Sequence, residues 1–241
     1  MRYLRIYSAI AFLICFSVNL SGQTYQVFKG DTINRLDAKG QKQGLWRKYY
    51  PTDTLFSEGW YKNNIHTGIF TSYHKNGKVQ SRLIYRGLTD ICNAEIFSDE
   101  AKLIAKGKYI DKTRDSLWSF YNKEGGIASV EFYQKGKREG SWKVYFPNGQ
   151  VSHLTTYKAD KKHGPYKEFY EGGTPKVEGM MKSNEFDGIL TMFFENGKVW
   201  QKGKYQNGLR EGSWMIFKET GEKEREDLYK AGKLLNPLPE E

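Results

Sequence analysis

One block of 24 residues recurs through this chain eight times without an insertion. The copies begin at Gly44, Gly68, Cys92, Ser116, Gly140, Gly164, Gly188 and Gly212. With the first residue of a block as offset zero, offset two reads Trp46, Phe70, Ala94, Trp118, Trp142, Tyr166, Leu190 and Trp214. Offset five is aromatic in all eight copies, from Tyr49 to Phe217, and offset seventeen is tyrosine in seven, with Met181 the exception. These three offsets hold 21 of the 37 aromatic residues. Aromatics so regularly placed are structural first. A strict short period excludes a conventional globular core and predicts a stack of identical supersecondary units.

The unit reads as a β-hairpin. Offsets one to six form a first strand, as in Ser141-Trp142-Lys143-Val144-Tyr145-Phe146. The turn follows, as at Pro147-Asn148-Gly149; Asn-Gly recurs at Asn76-Gly77 and Asn196-Gly197 and signals a hairpin because both residues tolerate positive φ. Offsets eleven to eighteen form a second strand, and offsets nineteen to twenty-three turn into the next block. The second strand alternates: small or apolar residues and the tyrosine at odd offsets, basic residues at many even ones. One packed face and one wet, basic face are therefore expected. Trp60, Phe132 and Met180 interrupt the basic face. In the first strand offsets two and five have opposite parity, which leaves either a bulge between them or aromatics on both faces. Because a lone hairpin is marginal in water, sixteen strands side by side, about 75 Å at ~4.8 Å per strand, are the stable form.

The string Gly140-Ser141-Trp142, Tyr145, Asn148-Gly149, Tyr157 and Gly164 resembles the MORN family, and within it the bacterial MORN-variant pattern G-x-W-x-x-Y-x-x-N-G. The resemblance covers about residues 37 to 235. The third block departs most, with Cys92, Ala94 and Ala101 in place of glycine, aromatic and glycine. The resemblance implies an all-β fold: an elongated single-layer antiparallel sheet of eight consecutive hairpins. It also implies roles in protein–protein interaction, scaffolding or membrane-lipid contact, an antitoxin label in some relatives, and no shared catalytic residues.

Residues 1–22 read as a secretory signal: Arg2 and Arg5, an apolar run from Ile6 to Val18, then Ser21-Gly22. The run is short for a membrane anchor, which needs roughly 20 residues. The expected divisions are the signal at 1–22, a lead-in strand and turn at 23–43, the repeats at 44–235 and a tail at 236–241, where Pro237 and Pro239 end strand pairing. An exported chain, in periplasm, envelope or outside the cell, keeps Cys92 as its sole cysteine and has no internal disulfide. Removal of the signal lowers the net charge from +10 to about +8. Of that excess about +7 lies on the second strands.

Chemistry-bearing motifs are missing. His66, His74, His153 and His163 fall at different offsets, and no nucleophile elbow or phosphate-binding loop is present. Asp31, Asn34 and Asp37 lack a calcium-loop pattern and read as a turn and edge cap. No catalytic residue, cofactor or metal is expected. The candidate binding surface is Arg82, Lys106, Lys108, Lys202 and Lys204 with Trp60 and Phe132. The expected partner is another protein, with oligomeric state open. An anionic membrane or glycolipid surface is the alternative, and an inhibitor of a protein is a third reading. Lysine that merely keeps a long sheet soluble competes with both. Nucleic acid suits the same charge, but export argues against it.

Overall fold

The computed structural model describes residues 22–236. Its 21 strands form one open antiparallel sheet in which each hairpin pairs with the next, and the described residues include no helix. The signal and the prolines of the tail lie outside the described residues. The expected lead-in strand and turn is a complete hairpin, Thr24–Phe28 with Asp31–Leu36, which pairs onto Lys42–Tyr49 of the first repeat.

Two register shifts recur in the repeats. Inside each hairpin offset four pairs with offset thirteen but offset five pairs with offset eleven, as in Val144↔His153 and Tyr145↔Val151. One extra residue of the second strand is absorbed there as a bulge. This settles the parity question: the extra residue lies in the second strand, the first strand alternates without interruption, and aromatics occupy both faces. Offset two faces the odd offsets of the second strands, here called the inner face. Offset five faces the even ones: Tyr73 Oη donates to Glu58, and Lys106 lies over the Tyr121 ring at 5.7 Å.

The second shift lies between repeats and makes the core. Lys202 pairs with Met215 and Lys204 with Glu211, so three residues, Gly212–Trp214, arch over the single Gly203. Gly212 takes φ 70° to make the arch, a backbone region costly for residues with a Cβ. Trp214 then lies flat on Gly203, where a Cβ would come within 2.3 Å of the indole. The arch also frees the Lys204 carbonyl from the ladder, and Trp214 Nε1 donates to it at 3.2 Å. Trp118 over Gly107 repeats the arrangement, with its indole donating to the Lys108 carbonyl at 3.0 Å. Both tryptophans are fully buried in a sheet one layer thick. Tyrosines at offset seventeen flank each indole, with Tyr109 to Trp118 at 4.9 Å and Tyr205 to Trp214 at 5.2 Å between ring centroids. Trp46 has no earlier repeat to supply a carbonyl, and its buried Nε1 is unpaired.

At Asn148-Gly149 only the glycine has positive φ, 86°. The loop closes by Gly149 N to Phe146 O and Phe146 N to Gln150 O, which makes it longer than a two-residue hairpin turn. Asn148 serves a different purpose: its Oδ1 accepts from Gln150 N and its Nδ2 donates to the Glu171 carbonyl in the next turn. Asn76 and Asn196 make the same link to Asp99 and Glu219. The tight turns with two positive-φ residues are instead those between repeats, such as Asn63-Asn64 and Asn207-Gly208. Acids at offset twenty-three tie these turns together. Asp115, Glu139, Asp187 and Glu211 each accept a backbone N–H from the turn that follows, at Lys135, Ala159, Asn207 and Ala231.

The third repeat has its own solution. Leu83 pairs with Ala94, where Gly59, Gly107 and Gly203 at other junctions face the rings of Phe70, Trp118 and Trp214. Bulk has changed strands. With no ring to seat, the junction between repeats two and three has no register shift, and Tyr85↔Cys92 to Ser81↔Ile96 run straight. The two residues that other junctions place in the arch widen the loop to Gly87–Asp90 instead. The period of 24 survives because the surplus moved along the chain without disappearing.

Two stability predictions follow from these contacts. Gly203→Ala should lower unfolding stability by about 1–3 kcal/mol through overpacking, and Trp214→Ala by roughly 3–5 kcal/mol; urea denaturation measures both. Ala101, which takes φ 70° where six other repeats have glycine, should give a gain of about 1 kcal/mol on Ala101→Gly by the same measurement.

Candidate functional site

Residues directly opposite in an antiparallel pair project to the same face. Offset one pairs with offset sixteen in every hairpin: Leu45↔Trp60, Ile69↔Ile84, Leu117↔Phe132 and Pro165↔Met180 are fully apolar pairs. They lie on the outer face with no layer above them. Trp60 is 55% exposed, Leu117 54%, Ile189 53% and Phe132 38%. The stripe breaks at repeats three and five, where the pairs are Asn93↔Lys108 and Ser141↔Thr156.

All seven candidate residues lie on this face. Arg82, Lys106 and Lys202 occupy offset fourteen, and Trp60, Lys108, Phe132 and Lys204 occupy offset sixteen. The face is nevertheless not the uniformly basic one expected. Along the offset-fourteen row Glu58, Glu178 and Glu226 alternate with the cations, and apolar rungs separate them. Arg82 is 3.9 Å from Glu95 and rests on the Phe97 ring at 5.4 Å. Arg47 joins Glu58 at 3.1 Å and Asp31 at 2.8 Å. Lys108 and Lys204 sit opposite the acids Asp115 and Glu211. The stripe was hidden in the sequence because Trp60, Phe132 and Met180 looked like breaks in an alternation. Their cross-strand partners Leu45, Leu117 and Pro165 at offset one were the signal.

The inner face holds a cleft of about 290 Å³ at the third repeat lined by His66, Leu83, Tyr85, Asp90, Cys92, Ile96, Tyr109 and Lys112, with Ser81. His66 stacks on Tyr85 at 4.9 Å and 11°. Burial lowers the His66 pKa, with Lys42 and Lys112 adding to that effect and Asp90 opposing it, so the ring is neutral at pH 7. Burial likewise raises the Tyr85 phenol and the Cys92 thiol. The remaining histidines have local roles, such as His74 Nε2 against the Phe97 carbonyl at 3.0 Å. Asp37 accepts from Lys39 N and Gln41 N, and Asp31 pairs with Arg47, so the acidic lead-in caps a turn and an edge. No group of three or more histidine, cysteine or acidic side chains among the described residues is placed to hold a metal ion.

Cys92 is 3% exposed, and its raised pKa keeps the thiolate scarce near pH 8. A disulfide reagent should therefore label it well below the rate of free cysteine at pH 8, and the rate should climb at higher pH and in denaturant. Peptide mapping after timed labelling checks this; a rate equal to free cysteine at pH 8 contradicts the buried placement.

A family model described as MORN repeat variant matches residues 42–63, 67–86, 138–159, 162–183 and 186–207. No curated protein matches the chain. The matched segments coincide with repeats one, two, five, six and seven, in the phase of the observed hairpins. MORN repeats are generally associated with protein or membrane interaction, and theirs is not a known enzyme family. The chain belongs to the MORN repeat family.

Proposed function

We propose that this protein is an exported, non-enzymatic interaction scaffold that binds another protein across its outer face. The observation that carries the reading is the exposed stripe of paired apolar side chains at offsets one and sixteen: Leu45–Trp60, Ile69–Ile84, Leu117–Phe132 and Pro165–Met180. Contiguous exposed apolar surface is costly in water and marks interaction sites. Large side chains such as Trp60 and Phe132 are the kind that anchor interfaces. The lysines Lys106, Lys108, Lys202 and Lys204 punctuate the stripe and would favour an acidic rim on the partner. Export rests on the N-terminal sequence, and a mature chain beginning near residue 23 by mass spectrometry checks it.

A second reading has its own support. Trp60 and Trp200 are both exposed, at 55% and 45%, at even offsets of the second strand beside lysines. Amphipathic rings with cations suit the interface of an anionic membrane.

Photo-crosslinkers placed at Leu117 and Ile189 should capture a partner in cells, and crosslinkers on inner-face offsets of repeats six to eight, away from the third repeat, should not. Trp60→Asp with Phe132→Asp should weaken capture at least roughly tenfold while leaving circular dichroism unchanged. Lysine-dependent binding of the chain to anionic vesicles, with no protein adduct, would favour the membrane reading over the protein one.

A further inference from the structure

The inner face carries a ladder with one rung missing. Opposite each second-strand tyrosine, or Met181, stands the first residue to cover it from the next strand: Tyr61↔His66, Tyr109↔Arg114, Tyr133↔Arg138, Tyr157↔Lys162, Met181↔Phe186 and Tyr205↔Arg210. These side chains lie across the rings. Arg210 is 4.2 Å from the Trp214 centroid and donates to Tyr229 Oη at 3.0 Å. Arg114 repeats this on Trp118 at 4.9 Å and Tyr133 Oη at 3.2 Å, and Arg138 lies 4.6 Å from the Tyr157 centroid.

At the second junction the widened loop shifts the register, and the residue opposite Tyr85 is Cys92. A thiol stands where the flanking junctions place the His66 imidazole and the Arg114 guanidinium, and the ring beneath it is replaced by Ala94. The space left open is the 290 Å³ cleft. Its walls are Tyr85, Tyr109 and His66, its apolar lining includes Leu83 and Ile96, and Asp90 stands in its loop. Asp90 has no salt-bridge partner within 4.0 Å among the described residues. Lys112, the one cation of the lining, is exposed and likewise makes no salt bridge among the described residues. The cleft is near the small end of ligand sites, which run from roughly 300 Å³; that volume suits one side chain.

We propose that this cleft receives an arginine side chain of a protein partner, which completes the array's own ladder of guanidinium on aromatic rings. Tyr85 and Tyr109 supply the π faces, a cation–π contact that strengthens as water is excluded. Asp90 supplies the countercharge and accepts from the planar guanidinium fork. The partner's class rests on the protein-binding reading above. The ligand chemistry rests on the cleft alone.

The test is an NMR titration of the chain with N-acetyl-arginine amide, its neutral isostere N-acetyl-citrulline amide, and N-acetyl-phenylalanine amide. Saturable shifts at Tyr85, Tyr109 and Ile96 are expected with arginine, and binding of citrulline should be at least roughly tenfold weaker. Asp90→Asn should weaken arginine binding by a similar factor. Cys92→Arg should abolish it by supplying the rung from within; if that variant does not fold, Asp90→Asn, whose backbone contact to Asp111 N is retained, decides alone. Equal binding of arginine and citrulline, preference for phenylalanine, shifts confined to the outer face, no effect of Asp90→Asn, or no saturable shift at all would each overturn the proposal. Those outcomes leave the crosslinking result on the outer face untouched, so failure of the cleft and failure of the scaffold reading are distinguishable.

Discussion

The seating of a ring on a glycine of the preceding strand is the contact on which this sheet depends. A single-layer sheet has no second layer to bury its aromatics. Here the indoles of Trp118 and Trp214 are laid flat against the backbone of the repeat before each, so the array supplies its own cover. Trp118 on Gly107 and Trp214 on Gly203 are buried without any opposing element. The arch that places the ring also frees a backbone carbonyl, and the indole N–H takes it. One geometric device thus satisfies burial, hydrogen bonding and register together. Because the ring and its seat belong to different repeats, stability is vested in the junctions, as expected of a quasi-one-dimensional array.

The same dependence explains why the third repeat looks degenerate and is nonetheless in phase. Ala94 has lost the ring, Leu83 has gained bulk, and Cys92 has no need of the left-handed backbone that glycine or Ser116 adopts elsewhere. The changes at 83, 92 and 94 are one event seen at three positions. Its by-product is the cleft, because the straight register sets a small thiol where three other junctions set the guanidinium of Arg114, Arg138 or Arg210 and the rest set His66, Lys162 or Phe186. A structural exchange has left a hole of defined chemistry, with aromatic walls and a carboxylate, on an otherwise sealed inner face.

The outer face obeys a different constraint. Nothing covers it, and its rows carry apolar pairs and charges of both signs. Acids such as Asp115 and Glu211 are committed to turn backbones, and Arg47 and Lys167 to carboxylates. Lys108, Lys202 and Lys204 make no ion pair among the described residues, and beside them stand the exposed apolar side chains of Trp60, Leu117 and Phe132.

The period of 24, the hairpin unit and the all-β array were legible in the sequence, because a repeat of one residue pattern admits one repeated local structure. The seven candidate surface residues were legible too, because alternation assigns a face from parity alone. Three things only the tertiary structure decided. Which residues of Asn148-Gly149 take positive φ depends on loop closure to Gln150 and a neighbouring turn, not on local propensity. Whether offset five shares a face with offset two depends on which strand takes the extra residue, and here the second strand does, so the two stay on opposite faces. The cleft depends on Cys92 standing opposite Tyr85, a pairing set by where two surplus residues lie. Sequence spacing counts residues along one strand, whereas register is a relation between two, and a sheet's chemistry is written in the register.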